Sequence, residues 1–357
     1  MPQIQDFCII GLVASLSFFL SKTVIIIAKR FRWYDGTGGR KIHSGQIPRL
    51  GGIAVFISCM SGCFLLHLLN NGTTTFFNER IFLIAMIVAF ASGIIDDFRP
   101  MRGIYKLIIQ TSAAILATIA GLTVETITIP GIVTVNMGFL AYPLTVVWIV
   151  AIMNAVNLID GIDGLSSGVT MIALSFVSIV AYFMNNYSTM LISLIVLFSI
   201  LGFYFFNFPP AKLFIGDGGA YFIGFMFATI SLMGVKKSAM ITLFLVPIIL
   251  MLVPIIDVLQ VMLIRYRAGN NMFHPDKSHL HHRLLSLGLS VKGILVVMYG
   301  HSIALGLCGV LMLFIEPGPA LLLMVIIGII LFLSFFTLHK AENALELREE
   351  TLKSFEK

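Results

Sequence analysis

Eleven stretches of this chain are apolar enough to be read as bilayer crossings: about 7–28, 50–70, 81–95, 104–122, 141–158, 165–184, 189–206, 219–235, 240–264, 293–315 and 319–338. A crossing helix needs roughly 20 apolar residues. Hydrocarbon offers no water to satisfy backbone N–H and C=O groups, and an α-helix satisfies them within one segment. The third run is short and the ninth carries Pro247 and Pro254, so the expected count is ten or eleven. Composition agrees: 58% of the residues are hydrophobic and 11% are charged, against about 25% charged in a soluble domain. The expected fold is an all-α polytopic membrane protein of about 11 transmembrane helices. Residues 1–338 form one integral-membrane domain and 339–357 a charged tail. The first run lacks a basic leader and a small-residue cleavage site, so it is read as a helix and not as a signal peptide.

Basic residues orient the bundle. With the N-terminus outside, the inside segments are 29–49, 96–106, 159–164, 207–218, 265–292 and 339–357, and they hold 19 Lys and Arg against three outside. Cytoplasmic loops carry such an excess, which places the C-terminus in the cytoplasm. The same bias accounts for the net charge of +6 without any nucleic acid. One outside segment has a different texture. In 123–140, TVETITI and IVTV are β-branched and alternate around Pro130-Gly131, which predicts a small extracytoplasmic β-hairpin. Cys8, Cys59, Cys63 and Cys308 lie in apolar runs without a CxxC pair, so no disulfide or zinc framework is expected.

In this orientation the polar motifs share the cytoplasmic face. They are RKIHSGQIPRLGG (40–52), GIIDDFRPMRGIYK (93–106), AIMNAVNLIDGIDGL (151–165), FNFPPAKLFIGDGG (206–219) and HPDKSHLHHRLL (274–285). Asp96 and Asp97 fall where the third run ends, and carboxylates are unfavourable at a helix C-terminus. Two adjacent like charges also demand a compensating cation. Asn154, Asn157, Asp160 and Asp163 recur every third residue, along a slowly drifting helical stripe. The glycines around Asp217 allow close approach of backbone to a phosphate. His279, His281 and His282 stand among Arg265, Arg267, Lys277 and Arg283. No Cys is near them, so imidazoles and guanidiniums around an anion fit better than a zinc cage. Asp257 either faces the same site or pairs with Arg265. A transporter, the remote alternative, is expected to bury ionisable residues near mid-bilayer; here they collect at helix ends.

Carboxylates Asp96, Asp97, Asp160, Asp163 and Asp217 beside Lys41, Arg49, Lys106 and the histidine loop suit Mg²⁺ and phosphates. Mg²⁺ prefers oxygen and takes one or two carboxylates plus substrate phosphate oxygens.

These motifs together resemble the polyprenyl-phosphate N-acetylhexosamine-1-phosphate transferases, over residues from about 35 to 285. The loop His279-Leu280-His281-His282 is similar to the WecA/TagO-like branch rather than to the related MraY branch, which has three consecutive histidines. The resemblance implies transfer of GlcNAc-1-phosphate from UDP-GlcNAc to undecaprenyl phosphate, with release of UMP. The alternative is another UDP-HexNAc donor or UDP-MurNAc-pentapeptide. It implies Mg²⁺, with Mn²⁺ as a substitute, and a bacterial inner-membrane location. The expected partners are the UDP-sugar, undecaprenyl phosphate and the bilayer; a homodimer is left open. It also implies roles: Asp217 as metal ligand with Asn157 second, Asp96 and Asp97 near the lipid phosphate, and Lys106 as a phosphate contact. Asp160, Asp163 and Asn207 would line the nucleotide side, and Phe214 would stack on uracil. His279, His281, His282, Arg265 and Arg267 would meet the diphosphate or sugar, and Lys41 the substrate from the first loop.

Overall fold

The computed structural model describes residues 3–34, 47–69, 79–129, 133–237, 284–285, 288–311 and parts of 313–330. Nine long helices lie among these residues. They are α1 (Ile4–Phe31), α2 (Gly51–Leu69), α3 (Glu79–Phe98), α4 (Gly103–Ile119), α5 (Ala141–Leu158), α6 (Leu165–Phe183), α7 (Tyr187–Asn207), α8 (Gly216–Lys237) and α9 (Val291–Leu311). Seven of them are long and apolar enough to cross a membrane; α4, at 17 residues, is shorter. The expected ninth span and most of the eleventh lie outside the described residues.

Helix α8 is the axis. It packs against α2, α3, α5, α6 and α7, and every described side chain from Ile215 to Met233 is buried. A helix that is apolar all round belongs inside, and its ring of Phe222, Phe225 and Phe227 fills the centre. The peripheral helices differ. On α1, Val13 and Ala28 are buried while Leu12, Phe19 and Ile26 lie on an exposed apolar face, as a lipid-facing helix requires. Hydroxyls inside the bundle are satisfied locally: Ser58, Thr145, Thr170 and Thr229 donate to the carbonyl four residues back. Ser17 Oγ reaches across from α1 to the Ser199 carbonyl of α7 at 2.5 Å.

The hairpin forms as the alternation indicates. β1 (Thr126–Ile129) pairs antiparallel with β2 (Val133–Asn136), Thr126 opposite Asn136. It joins the C-terminal end of α4 to the N-terminal end of α5. Val124 N–H donates to Thr145 Oγ1 at 2.9 Å, which pins it to α5.

From α1 to α8, consecutive helices alternate in direction. The last turns of α3, α5 and α7 and the first turns of α2, α4, α6 and α8 therefore meet at one end of the bundle, opposite the hairpin.

Candidate active site

The site begins with a helix that cannot cap itself. The first residue of α8 is Gly216, at φ +73°, and it has no side chain to accept from the helix's free amides. Asp97, in the last turn of α3, does so instead: its carboxylate accepts from Asp217 N–H at 2.9 Å and Gly218 N–H at 3.0 Å. A carboxylate misplaced at the C-terminus of its own helix thereby gains the positive end of another. The segment before α2 grips the same loop. Phe214 N–H donates to the Pro48 carbonyl at 2.9 Å, Gly51 N–H to Phe214 O at 2.9 Å, and Gly52 N–H to Ile215 O at 2.8 Å.

Asp217 is thus held at the meeting point of α2, α3, α4, α5 and α8. Its Oδ2 pairs with Lys106 Nζ at 3.0 Å, and its Oδ1 faces Asn157 Nδ2 at 3.2 Å and Arg49 at 3.5 Å. Lys106, in the first turn of α4, also pairs with Asp96 Oδ2 at 2.6 Å. Asp96 Oδ1 accepts from Met101 N–H at 2.7 Å, closing the α3–α4 turn.

Asp160 sits in the short turn between α5 and α6 and accepts from Ser166 Oγ. Burial pushes its carboxyl up to about 8. The neighbouring Asp217 and Asp97 charges add to the rise, and Ser166 and Arg49 oppose it. The turn therefore shares the electrostatic field of the Asp217 cluster.

Three further candidate site residues hold partners inside the fold. Asp97, a candidate for the acceptor phosphate, caps α8 with both oxygens. Asp163, buried, accepts from Ala211 N–H at 2.9 Å through Oδ2. Asn207, buried, accepts from Gly164 N–H at 3.1 Å and Ser167 Oγ at 2.7 Å, and donates to the Leu213 carbonyl at 3.1 Å. These groups tie the α5–α6 turn to the α7–α8 loop, because buried backbone groups in a turn need acceptors and donors of their own. Asn154, one turn deeper, donates to Gln110 Oε1 at 2.7 Å and braces α5 on α4.

The glycines around Asp217 also do something different from admitting a phosphate. A Cβ on Gly218 would lie 2.7 Å from Ile94, and one on Gly219 would lie 2.4 Å from Ile215 and 2.7 Å from the backbone of Gly52. Neighbouring helices fill that space. Phe214 is half-buried at the edge of the cluster. Lys41, Arg265, Arg267, His279, His281 and His282 lie outside the described residues. Arg49, grouped by the sequence with Lys41 and Lys106 beside the carboxylates but given no individual role by the resemblance, joins the cluster from two residues before the glycines that open α2.

A hard cation suits these donors. Lys106 already places a positive charge between Asp96 and Asp217, and the acceptors there are carboxylate oxygens. Among the described residues, no three His, Cys, Asp or Glu side chains form a metal cage. Mg²⁺ needs none, since substrate oxygens complete its shell. Asp217 and, with its amide turned, Asn157 are the residues that would hold it; Asp97 is already committed to α8.

Comparisons with known proteins converge on one group. Residues 80–235 match the model of glycosyl transferase family 4. The chain is 36% identical over 294 residues to a Bacillus subtilis protein named probable undecaprenyl-phosphate N-acetylglucosaminyl 1-phosphate transferase, covering 82% of this chain and 81% of that one. It is 30% identical to the decaprenyl-phosphate N-acetylglucosaminephosphotransferase of Mycobacterium leprae, over 83% of this chain and 81% of that one. Identity falls to 25%, over 91% and 90% of the two chains, for the undecaprenyl-phosphate alpha-N-acetylglucosaminyl 1-phosphate transferase of Escherichia coli.

Proposed function

The chain belongs to glycosyl transferase family 4, the polyprenyl-phosphate N-acetylhexosamine-1-phosphate transferases, and from that premise we propose that it transfers GlcNAc-1-phosphate from UDP-GlcNAc to undecaprenyl phosphate. The products are undecaprenyl-diphosphate-GlcNAc and UMP, and the step initiates a cell-surface glycan. The observation that carries the reading is the convergence of Asp217, Asp96, Lys106, Arg49 and Asn157 at one end of a membrane bundle. A polar cluster at the end of the helices serves a soluble donor and a membrane-held acceptor together. The excess of basic residues supports a cytoplasmic position for that end.

The acceptor phosphate monoester has a second pKa near 6, so it is largely dianionic at neutral pH. It needs little help as a nucleophile and much help against its repulsion from the donor diphosphate. Lys106 and Arg49 supply fixed positive charge for that purpose. An acceptor oxygen attacks the β-phosphorus, the bridging P–O bond breaks, and its electron pair leaves with UMP. Asp217 and Asn157 would hold Mg²⁺ (or Mn²⁺), which would supply charge neutralisation on the diphosphate. With Asp97 tied to α8, Asp96 and Lys106 take the acceptor side, and Asp160 takes the donor side. Resemblance alone assigns Lys41, Arg265, Arg267 and the histidines to the donor.

The test is UMP release by purified protein given UDP-GlcNAc, Mg²⁺ and a polyprenyl phosphate, with omission of each in turn. Release with another UDP-sugar only would reassign the donor. No release with any UDP-sugar would overturn the reading.

A further inference from the structure

The turn that carries Asp160 is fastened from a helix that contributes no residue to the Asp217 cluster. Tyr299, on α9, donates its hydroxyl hydrogen to the Gly164 carbonyl at 2.6 Å. With that hydrogen engaged, its oxygen accepts from Tyr204 of α7, 2.9 Å away. Room for the hydroxyl is made by a missing side chain: a Cβ on Gly168 would lie 1.9 Å from it. Gly164 is the last residue of the turn, at φ +76°, and a conformation that L side chains avoid has to be held by its surroundings. Its amide is fixed by Asn207 at 3.1 Å, and its carbonyl accepts from Gly168 N–H at 2.9 Å and Ser167 Oγ at 3.3 Å within α6 and, from outside the turn and its helix, from Tyr299.

Removing the Asn207 side would disturb the α7–α8 loop as well. The Tyr299 hydroxyl meets the turn at one carbonyl oxygen and otherwise bonds only Tyr204, whose own removal serves as the control.

We propose that Tyr299 is a positioning residue for the donor side of the site: its bond to Gly164 sets the 159–164 turn, and with it Asp160, against the Asp217 cluster. This rests on the transferase reading only where activity is the readout. Tyr299→Phe deletes one hydroxyl and keeps the ring. Loss of a buried neutral hydrogen bond corresponds to about three- to tenfold. The donor KM should rise by about that factor, with the acceptor KM unchanged. Amide hydrogen exchange in a peptide covering 159–166 should quicken by a similar factor. Tyr204→Phe, which leaves the Tyr299–Gly164 bond in place, should change neither. Should Tyr299→Phe fail to fold, Gly168→Ala displaces the hydroxyl and is expected to give the same pattern. Unchanged exchange and donor KM in whichever variant folds would overturn the proposal. So would equal changes in both KM values together with a fall in Tm. If wild-type protein releases no UMP, the functional reading fails, and the exchange comparison still decides whether Tyr299 holds the turn.

Discussion

Asp217 shows what a single carboxylate does here. Three side-chain donors surround it, from Lys106, Arg49 and Asn157, so its charge is the reference for the whole cluster. Asp217→Asn keeps the shape and removes the charge. UMP release should fall by at least about 10³-fold, the scale for losing one preorganised electrostatic group; near-normal turnover would show that the metal ligand lies elsewhere. Asp160 gives a prediction with a sign. Its folded pKa of about 8 lies above the ordinary carboxylate value of about 4. Between those values the folded state binds the extra proton, so the carboxylate costs stability as pH rises through the window, and the cost is complete above it. Asp160→Asn carries no such cost. The Tm of the ligand-free variant relative to wild type, in detergent, should therefore climb from pH 5 to pH 8.5. A flat difference would mean that Asp160 is already ionised in the folded protein.

At the scale of elements, the contact between α3 and α8 sets the site. A Cβ on Gly93 would fall 2.2 Å from the carbonyl carbon of Asp217 and 2.3 Å from Gly218 N. Those atoms are backbone and cannot rotate aside. Gly93→Ala must push the helices apart, at an overpacking cost of about 1–3 kcal/mol. It also pulls Asp97 off the amides it caps. The variant should show a lowered Tm and activity reduced more than the Tm alone explains; wild-type values in both would refute the close approach. Gly93 precedes the acidic pair by one helical turn, yet nothing in the string GIIDD says that it faces another backbone. The same limit runs through the site. The described helices and the hairpin could be read directly, because apolar runs and alternation are local signals. Asp96, Asp217, Lys106 and Asn157 could be gathered because charge at a membrane edge is costly without a purpose. The jobs of Asp97, Asp163 and Asn207 could not. Each depends on a donor or acceptor far away in sequence, such as Gly218 for Asp97 or Ala211 for Asp163. A carboxylate that caps a distant helix has the same sequence signature as one that meets a phosphate.

The described bundle has two ends, and the proposed reaction needs the Asp217 end to face the cytoplasm. Lys106 opens α4 and Asn157 closes α5, while the hairpin spans from the end of α4 to the start of α5. The Asp217 cluster and the hairpin are therefore at opposite poles of the bundle. The proposed donor is a nucleotide sugar, which is made in the cytoplasm, and the 19-to-3 bias of basic residues predicts that the cluster faces that side. Cysteine labelling checks this in cells. In a variant lacking Cys8, Cys59, Cys63 and Cys308, Thr134→Cys on exposed β2 should react with a membrane-impermeant maleimide in intact cells. Arg102→Cys, exposed beside Lys106, should react only after permeabilisation. The reverse pattern would put the cluster outside, away from its nucleotide donor, and would overturn the orientation and the assigned reaction together. Labelling of both positions in intact cells would place the α3–α4 turn on the same side as the hairpin, which a bundle with α4 and α5 crossing the membrane cannot do.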